Sequence, residues 1–208
     1  MIRPLVKICG ITRADDAIAA AEEGADFLGL IFVQDSPRFV SPAAALRIAM
    51  AVKDEIGTRA PGLVGVFMND EPARVRAVTA EVGLDLIQLH GDENPDPFAG
   101  FERPLIKVFR VGAELPDTAA WSSARWLLFD TFMPGTGGGT GRAFDWSLLS
   151  RVPKENLILS GGLHPDNIVT AIETVRPAAV DLSSGVEDAP GIKSRKKIAE
   201  LFERIGGV

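Results

Sequence analysis

Eight short apolar runs recur along the chain, and most are followed by a stretch in which apolar residues return every three or four positions. The runs cover 5–9, 27–32, 62–67, 84–89, 105–109, 126–130, 157–160 and 179–182. They are rich in Val, Ile, Leu and Phe and are bounded by Gly, Pro and Asp, which is the pattern of buried β-strands. Helical spacing predicts helices over 13–23, 42–55, 71–82, 146–151, 165–175 and 193–205, with weaker ones at 95–99 and 114–121. Strands that alternate with helices imply βαβ units and a parallel sheet. Eight units in 208 residues fit a small α/β protein of the (β/α)8 TIM-barrel type, near its lower size limit of about 200 residues. A doubly wound open sheet is the alternative and requires a topological switch point. No linker or shift in composition divides the chain, so 1–208 is expected to form a single (β/α)8-barrel domain.

Composition narrows the partners. The chain is 46% hydrophobic with a net charge of -6, which leaves no global basic field for a nucleic-acid backbone. No apolar run approaches the roughly 20 residues of a membrane span, and the N-terminal residues lack a signal-peptide pattern. A cytoplasmic protein is expected, with no nucleic-acid or membrane partner. The single cysteine leaves no internal disulfide and fits a reducing compartment. Two histidines and one cysteine make no recognisable metal-ligand set. The basic group Lys193, Arg195, Lys196 and Lys197 reads as the solvated start of the last helix.

In a parallel barrel the segments that follow the strands share one face, where chemistry is done. Cys9 ends the first run and Asp130 the sixth. The ordinary role for such a cysteine is a small buried hydrophobe; a distant strand-end aspartate turns attention to acid–base work. Arg38 follows the second run in Ser36-Pro37-Arg38, and His90 follows directly on the fourth. Gly161 and Gly162 follow the seventh run, and Ser183, Ser184 and Gly185 the eighth. Those two loops commonly bind phosphate through backbone N–H groups in barrels. The glycine-rich stretch 135–141 lacks the lysine of a P-loop and reads either as a loop that closes over substrate or as an ordinary surface loop. Lys7 shares strand parity with Cys9. If it points inward it needs a partner, for which Asp181 is the candidate; otherwise it snorkels outward.

Lys7-Ile8-Cys9-Gly10-Ile11-Thr12, Ser36-Pro37-Arg38, Gln88-Leu89-His90-Gly91, Phe129-Asp130-Thr131, Gly138-Gly139-Thr140-Gly141, Ser160-Gly161-Gly162-Leu163 and Val180-Asp181-Leu182-Ser183-Ser184-Gly185-Val186-Glu187 occur in order. Together they resemble the phosphoribosylanthranilate isomerase family of tryptophan biosynthesis, over nearly the whole chain. Ser160, His164 and Ser194 depart from residues common in that family. The resemblance implies a (β/α)8 fold, a small phosphorylated aminosugar substrate, and an Amadori rearrangement with Cys9 as base and Asp130 as acid. It supports substrate contact for Arg38, whose guanidinium suits bidentate hydrogen bonds to the anthranilate carboxylate, with a phosphate at Gly161, Gly162, Ser183, Ser184 and Gly185; His90 reads either as a pocket-lining substrate contact or as a satisfied strand-end histidine. It calls for no cofactor and no metal, and for a monomer or homodimer. The roles demand an Asp130 raised by burial and by a negative neighbour, and a Cys9 lowered by positive surroundings. Another sugar-phosphate isomerase or epimerase, or a non-catalytic phosphosugar-binding protein, would share the phosphate loops without needing the Cys9/Asp130 pair.

Overall fold

The computed structural model describes residues 3–131 and 144–207. Eight parallel strands close into a barrel: β1 (Leu5–Cys9), β2 (Phe27–Ile31), β3 (Gly62–Phe67), β4 (Leu86–Leu89), β5 (Leu105–Val111), β6 (Trp126–Thr131), β7 (Leu157–Leu159) and β8 (Ala179–Leu182). The ring shuts where β1 pairs with β8, with Lys7 opposite Asp181. The expected barrel is therefore present, and the open-sheet alternative is excluded. The stretch 135–141, read as a closing loop, lies outside the described residues.

Strand alternation divides the core in two. Val64, Leu86, Ile106, Val108, Leu128, Ile158 and Ala179 form one cluster; they share strand parity with Cys9, Asp130 and Ser160, and so fill the barrel's interior. The larger cluster includes Ile8, Leu28, Phe67, Leu89 and Leu159, the opposite parity, and packs beneath the helices. Those helices are α1 (Ala14–Glu22), α2 (Pro42–Ile56), α3 (Pro72–Val82), α4 (Ile168–Val175) and α5 (Arg195–Ile205). α2 shows how the sequence sets them. The Ser41 hydroxyl accepts from the Ala44 N–H, proline opens the first turn, and Ala45, Ile48 and Val52 make the buried stripe. Removing such a cap costs about 1 kcal/mol.

Three predicted helices are 3-10 turns instead, two of them shorter than expected and the third with the expected bounds. They are Asp96–Phe98, Ala119–Trp121 and Trp146–Arg151. Prolines at 95, 97, 104 and 116 deny the first two a helix interior. The third has six residues ahead of Pro153, too few to offset helix nucleation. Phe98 and Trp121, both buried, cover the barrel wall there.

One element had no sequence signal. After β8 the chain makes a small antiparallel hairpin, β9 (Glu187–Ala189) and β10 (Ile192–Lys193). It is tied to the loop after β1, because the Thr12 hydroxyl donates to the Gly191 carbonyl. The hairpin corrects the reading of Lys193. Far from being solvated, its side chain is fully buried, with Nζ 2.7 Å from Glu187 Oε1.

Candidate active site

A cavity of about 450 Å³ opens among the segments that follow the strands. Cys9, Arg38, His90, Asp130, Gly161, Gly162, Ser183, Ser184 and Gly185 all line it. Residues separated by up to 176 positions in sequence thus meet because every parallel strand ends on the same face.

Cys9 faces inward opposite Gly29 of β2. A Cβ at Gly29 would sit 2.7 Å from the Cys9 sulfur, so this mid-strand glycine makes the room the thiol occupies. Lys7 lies one layer below, 1% exposed, with Nζ 2.8 Å from Asp181 Oδ1. The inward, paired arrangement expected from strand parity is present. Burial works against the Lys7 ammonium, but Asp181 and Cys9 outweigh it and hold its pKa above the usual value. Burial also pushes the Cys9 thiol up, while the Lys7 charge pulls it down. The net direction is upward, which corrects the expected lowering: the site removes more hydration than the neighbouring ammonium replaces.

Asp130 is the penultimate residue of β6, on the opposite wall of the ring. Burial raises its carboxyl from 3.8 to about 6, against the pull of the Thr131 N–H and with help from Asp181. His90 moves the other way. Burial, then Arg110 and Lys7, lower its imidazole to about 4, so it is neutral at pH 7. The Gln88 amide nitrogen lies 3.3 Å from His90 Nδ1. With that amide donating, the ring proton resides on Nε2, which is 3.7 Å from Asp130 Oδ2. A carboxyl raised beside an imidazole lowered is how environment assigns an acid.

The raised carboxyl has a consequence for stability. A group that binds its proton more tightly when folded stabilises the fold below its unfolded pKa and loses that contribution as pH rises through the folded value. Asp130 therefore opposes folding increasingly between about pH 4 and 6. The shift corresponds to about 3 kcal/mol, to order of magnitude. Asp130→Asn is expected to melt at a higher temperature than wild type at pH 8 and at a similar one at pH 3.5. Equal melting at both would show that the carboxyl is not raised.

Arg38 reaches the same mouth from the loop after β2. Its Nε and Nη2 donate to the two Glu187 oxygens at 2.8 and 2.7 Å. Sequence reasoning gave it a ligand carboxylate; the structure adds a protein carboxylate on one edge. Neither Glu187 nor Lys193 was anticipated, and the only signal was an acidic residue just past the Ser183-Ser184-Gly185 loop.

The last two loops form a cradle. Gly162 has φ +67°, a left-handed conformation that a side chain strains. Asn167 steadies this loop, donating to the Gly162 carbonyl and accepting from the His164 N–H, both at 2.9 Å. Ser184–Val186 forms a 3-10 turn that packs directly on the β7 loop; a Cβ at Gly185 would lie 1.9 Å from the Leu163 carbonyl oxygen. The two loops expected to bind phosphate are thus packed side by side at the rim of the cavity. Gly162→Leu is expected to raise KM at least about tenfold, the scale of a lost charge-assisted hydrogen bond, with a smaller change in kcat. An unchanged KM would locate the anion site elsewhere. Among the described residues, no cluster of three or more His, Cys, Asp and Glu side chains is arranged to hold a metal ion.

The family model for N-(5'-phosphoribosyl)anthranilate isomerase matches residues 6–204. The isomerase of that name from Thiobacillus denitrificans is 46% identical over 202 residues, which span 96% of each chain. That from Pseudomonas fluorescens is 45% identical over 96% of this chain and 94% of its own. The crystal structure of phosphoribosyl anthranilate isomerase from Thermus thermophilus superposes with a TM-score of 0.84 at 36% identity, covering 98% of both chains. A structure of the isomerase in complex with reduced 1-(o-carboxyphenylamino)-1-deoxyribulose 5-phosphate gives 0.79 at 36% identity, covering 99% of this chain and 100% of the other. Closed barrel, a carboxyl and a thiol lining one cavity, and end-to-end similarity lead to one assignment: the chain belongs to the N-(5'-phosphoribosyl)anthranilate isomerase family.

Proposed function

We propose that residues 1–208 form one catalytic domain that converts N-(5-phosphoribosyl)anthranilate into 1-(2-carboxyphenylamino)-1-deoxyribulose 5-phosphate, in tryptophan biosynthesis. The observation that carries this reading is the meeting of Cys9 and Asp130 in one cavity beside a two-loop anion cradle.

The substrate phosphate sits against the Gly161, Gly162, Ser183, Ser184 and Gly185 backbone, and the anthranilate carboxylate against Arg38. Asp130 gives its proton to the ring oxygen as the bond from that oxygen to C1 breaks, leaving an open-chain iminium. The His90 Nε2 proton steadies the carboxylate so formed. The Cys9 thiolate takes the proton from C2, and the electron pair left by that C–H bond neutralises the iminium. The resulting enolamine tautomerises to the aminoketone. The proton lost by Asp130 is balanced by the one gained at Cys9, and their exchange with solvent restores both groups. Ring opening and proton transfer are the only bond changes, so the protein supplies acid, base and orientation.

We read the enzyme as a cytoplasmic monomer or homodimer. No helix among the described residues is long and apolar enough to cross a membrane, and the Thermotoga maritima relative is described as dimeric. The activity is tested by adding the protein to phosphoribosylanthranilate freshly formed from ribose 5-phosphate and anthranilate. Loss of anthranilate-type fluorescence at an enzyme-dependent rate is expected. No turnover by folded protein would turn the reading toward a non-catalytic phosphosugar binder.

A further inference from the structure

The Arg38 guanidinium has two edges that can offer a pair of N–H donors, and Glu187 occupies the Nε–Nη2 edge with both carboxylate oxygens. Among the described residues Nη1 has no partner. The arginine stem is fixed as well, since it crosses over Gly10, where a Cβ would lie only 2.6 Å from Arg38 Cδ. The side chain lines the cavity, so the edge Glu187 leaves free is the one a ligand meets. Glu187 is 6% exposed and also accepts from Lys193 Nζ at 2.7 Å. Lys193 in turn donates to the Ser183 carbonyl at 3.1 Å, which ties the cluster to the anion cradle. One carboxylate between two cations leaves a net charge of about +1 on a nearly dry cluster, suited to one further carboxylate.

We propose that Glu187 is a positioning residue for substrate selection: it turns the Nη1–Nη2 edge of Arg38 into the cavity, so that the site favours an aminosugar whose aromatic ring bears a carboxylate. Lys193 keeps the cluster positive after Glu187 has spent its charge on Arg38. This rests on the reading of Arg38 as the carboxylate-binding residue. Rigid presentation matters because a guanidinium fork selects a carboxylate only when both N–H bonds align with it.

The test compares two stable ligands: the reduced product analogue, and the same compound made from aniline and therefore lacking the carboxylate. The readout is the ratio of their dissociation constants by calorimetry. Wild type is expected to prefer the carboxylate by roughly 10- to 100-fold, the range of charge-assisted hydrogen bonds. Arg38→Met should abolish the preference. The double variant Glu187→Gln/Lys193→Met keeps the cluster at about +1, so it removes orientation without changing charge. It should lose most of the preference; any change at the phosphate cradle, which both ligands share, cancels in the ratio. A wild-type ratio in the double variant, with the preference lost in Arg38→Met, would overturn the role of Glu187 and leave that of Arg38 standing. Preference retained in Arg38→Met would overturn both. If the double variant does not fold, Glu187→Gln alone is read by the same ratio. It preserves shape but leaves one acceptor oxygen, and a preference reduced by less than about threefold, well under one hydrogen bond to a charged group, would overturn the proposal.

Discussion

Cys9→Ser is expected to lower kcat by about 100- to 10,000-fold, the usual contribution of a general base, with KM nearly unchanged. The hydroxyl is a far weaker acid than the thiol, and the buried setting that already pushes Cys9 upward disfavours an alkoxide even more. Lys7 stays beneath it and cannot compensate. The change is nearly isosteric and leaves no cavity, so the melting temperature should move little. Because proton abstraction belongs to the transition state, the loss falls on kcat. Wild-type turnover by this variant would remove Cys9 from the mechanism.

Asp130→Asn should cost a similar factor, because the amide keeps the shape but has no proton to give at the ring oxygen. The two variants are told apart by pH. With Asp130 near 6 and the thiol above its ordinary value, the competent form, protonated aspartate with ionised cysteine, is a minor species at pH 7. Its fraction stays level between the two pKa values, because each unit of pH removes as much acid as it adds base. Wild-type kcat is therefore expected to be flat from about pH 6 into the alkaline range. In Asp130→Asn nothing offsets the ionisation of Cys9, so residual kcat should rise about tenfold per pH unit. In Cys9→Ser residual kcat should fall by a similar factor per unit above pH 6. Parallel profiles in the two variants would exclude this division of labour.

Much of this was legible in the sequence, for identifiable reasons. β1, β3 and β8 have the bounds their apolar runs suggest, because a strand covered on both faces is apolar at nearly every position. Period-two alternation put Lys7 on the same strand face as Cys9 and nominated Asp181 as its inward partner, but left outward snorkelling open until the closed ring showed the pair. The segments after β4 and β5 carry some apolar residues at helical spacing, but their prolines decide the backbone and yield single turns. The Glu187–Lys193 pair lay beyond local reasoning. Its members face each other across a hairpin with no alternating pattern, and a lysine next to Ser194 and Arg195 resembles a helix start until the loop after β2 is folded over it. The direction of the Cys9 shift was misjudged for a related reason. A nearby lysine can be inferred from strand parity, but the loss of water around the sulfur depends on how completely the ring closes.

That closure gives the molecule a built-in order of events. Cys9 and Lys7 sit on the first strand of the barrel, whereas Asp181, the counterion of Lys7, lies 174 residues beyond that lysine and the hairpin that braces Arg38 later still. Joining strands so distant in sequence carries the largest loop-closure entropy and is a slow kind of contact to form. A nascent or half-refolded chain therefore holds Cys9 as an ordinary hydrated thiol, and an amino-terminal fragment holds it without the charges that surround it in the ring. Turnover should appear only when the seam between β1 and β8 zips shut. During refolding, the gain of helix and strand signal would run ahead of activity, and the interval between them would time the closing of the ring.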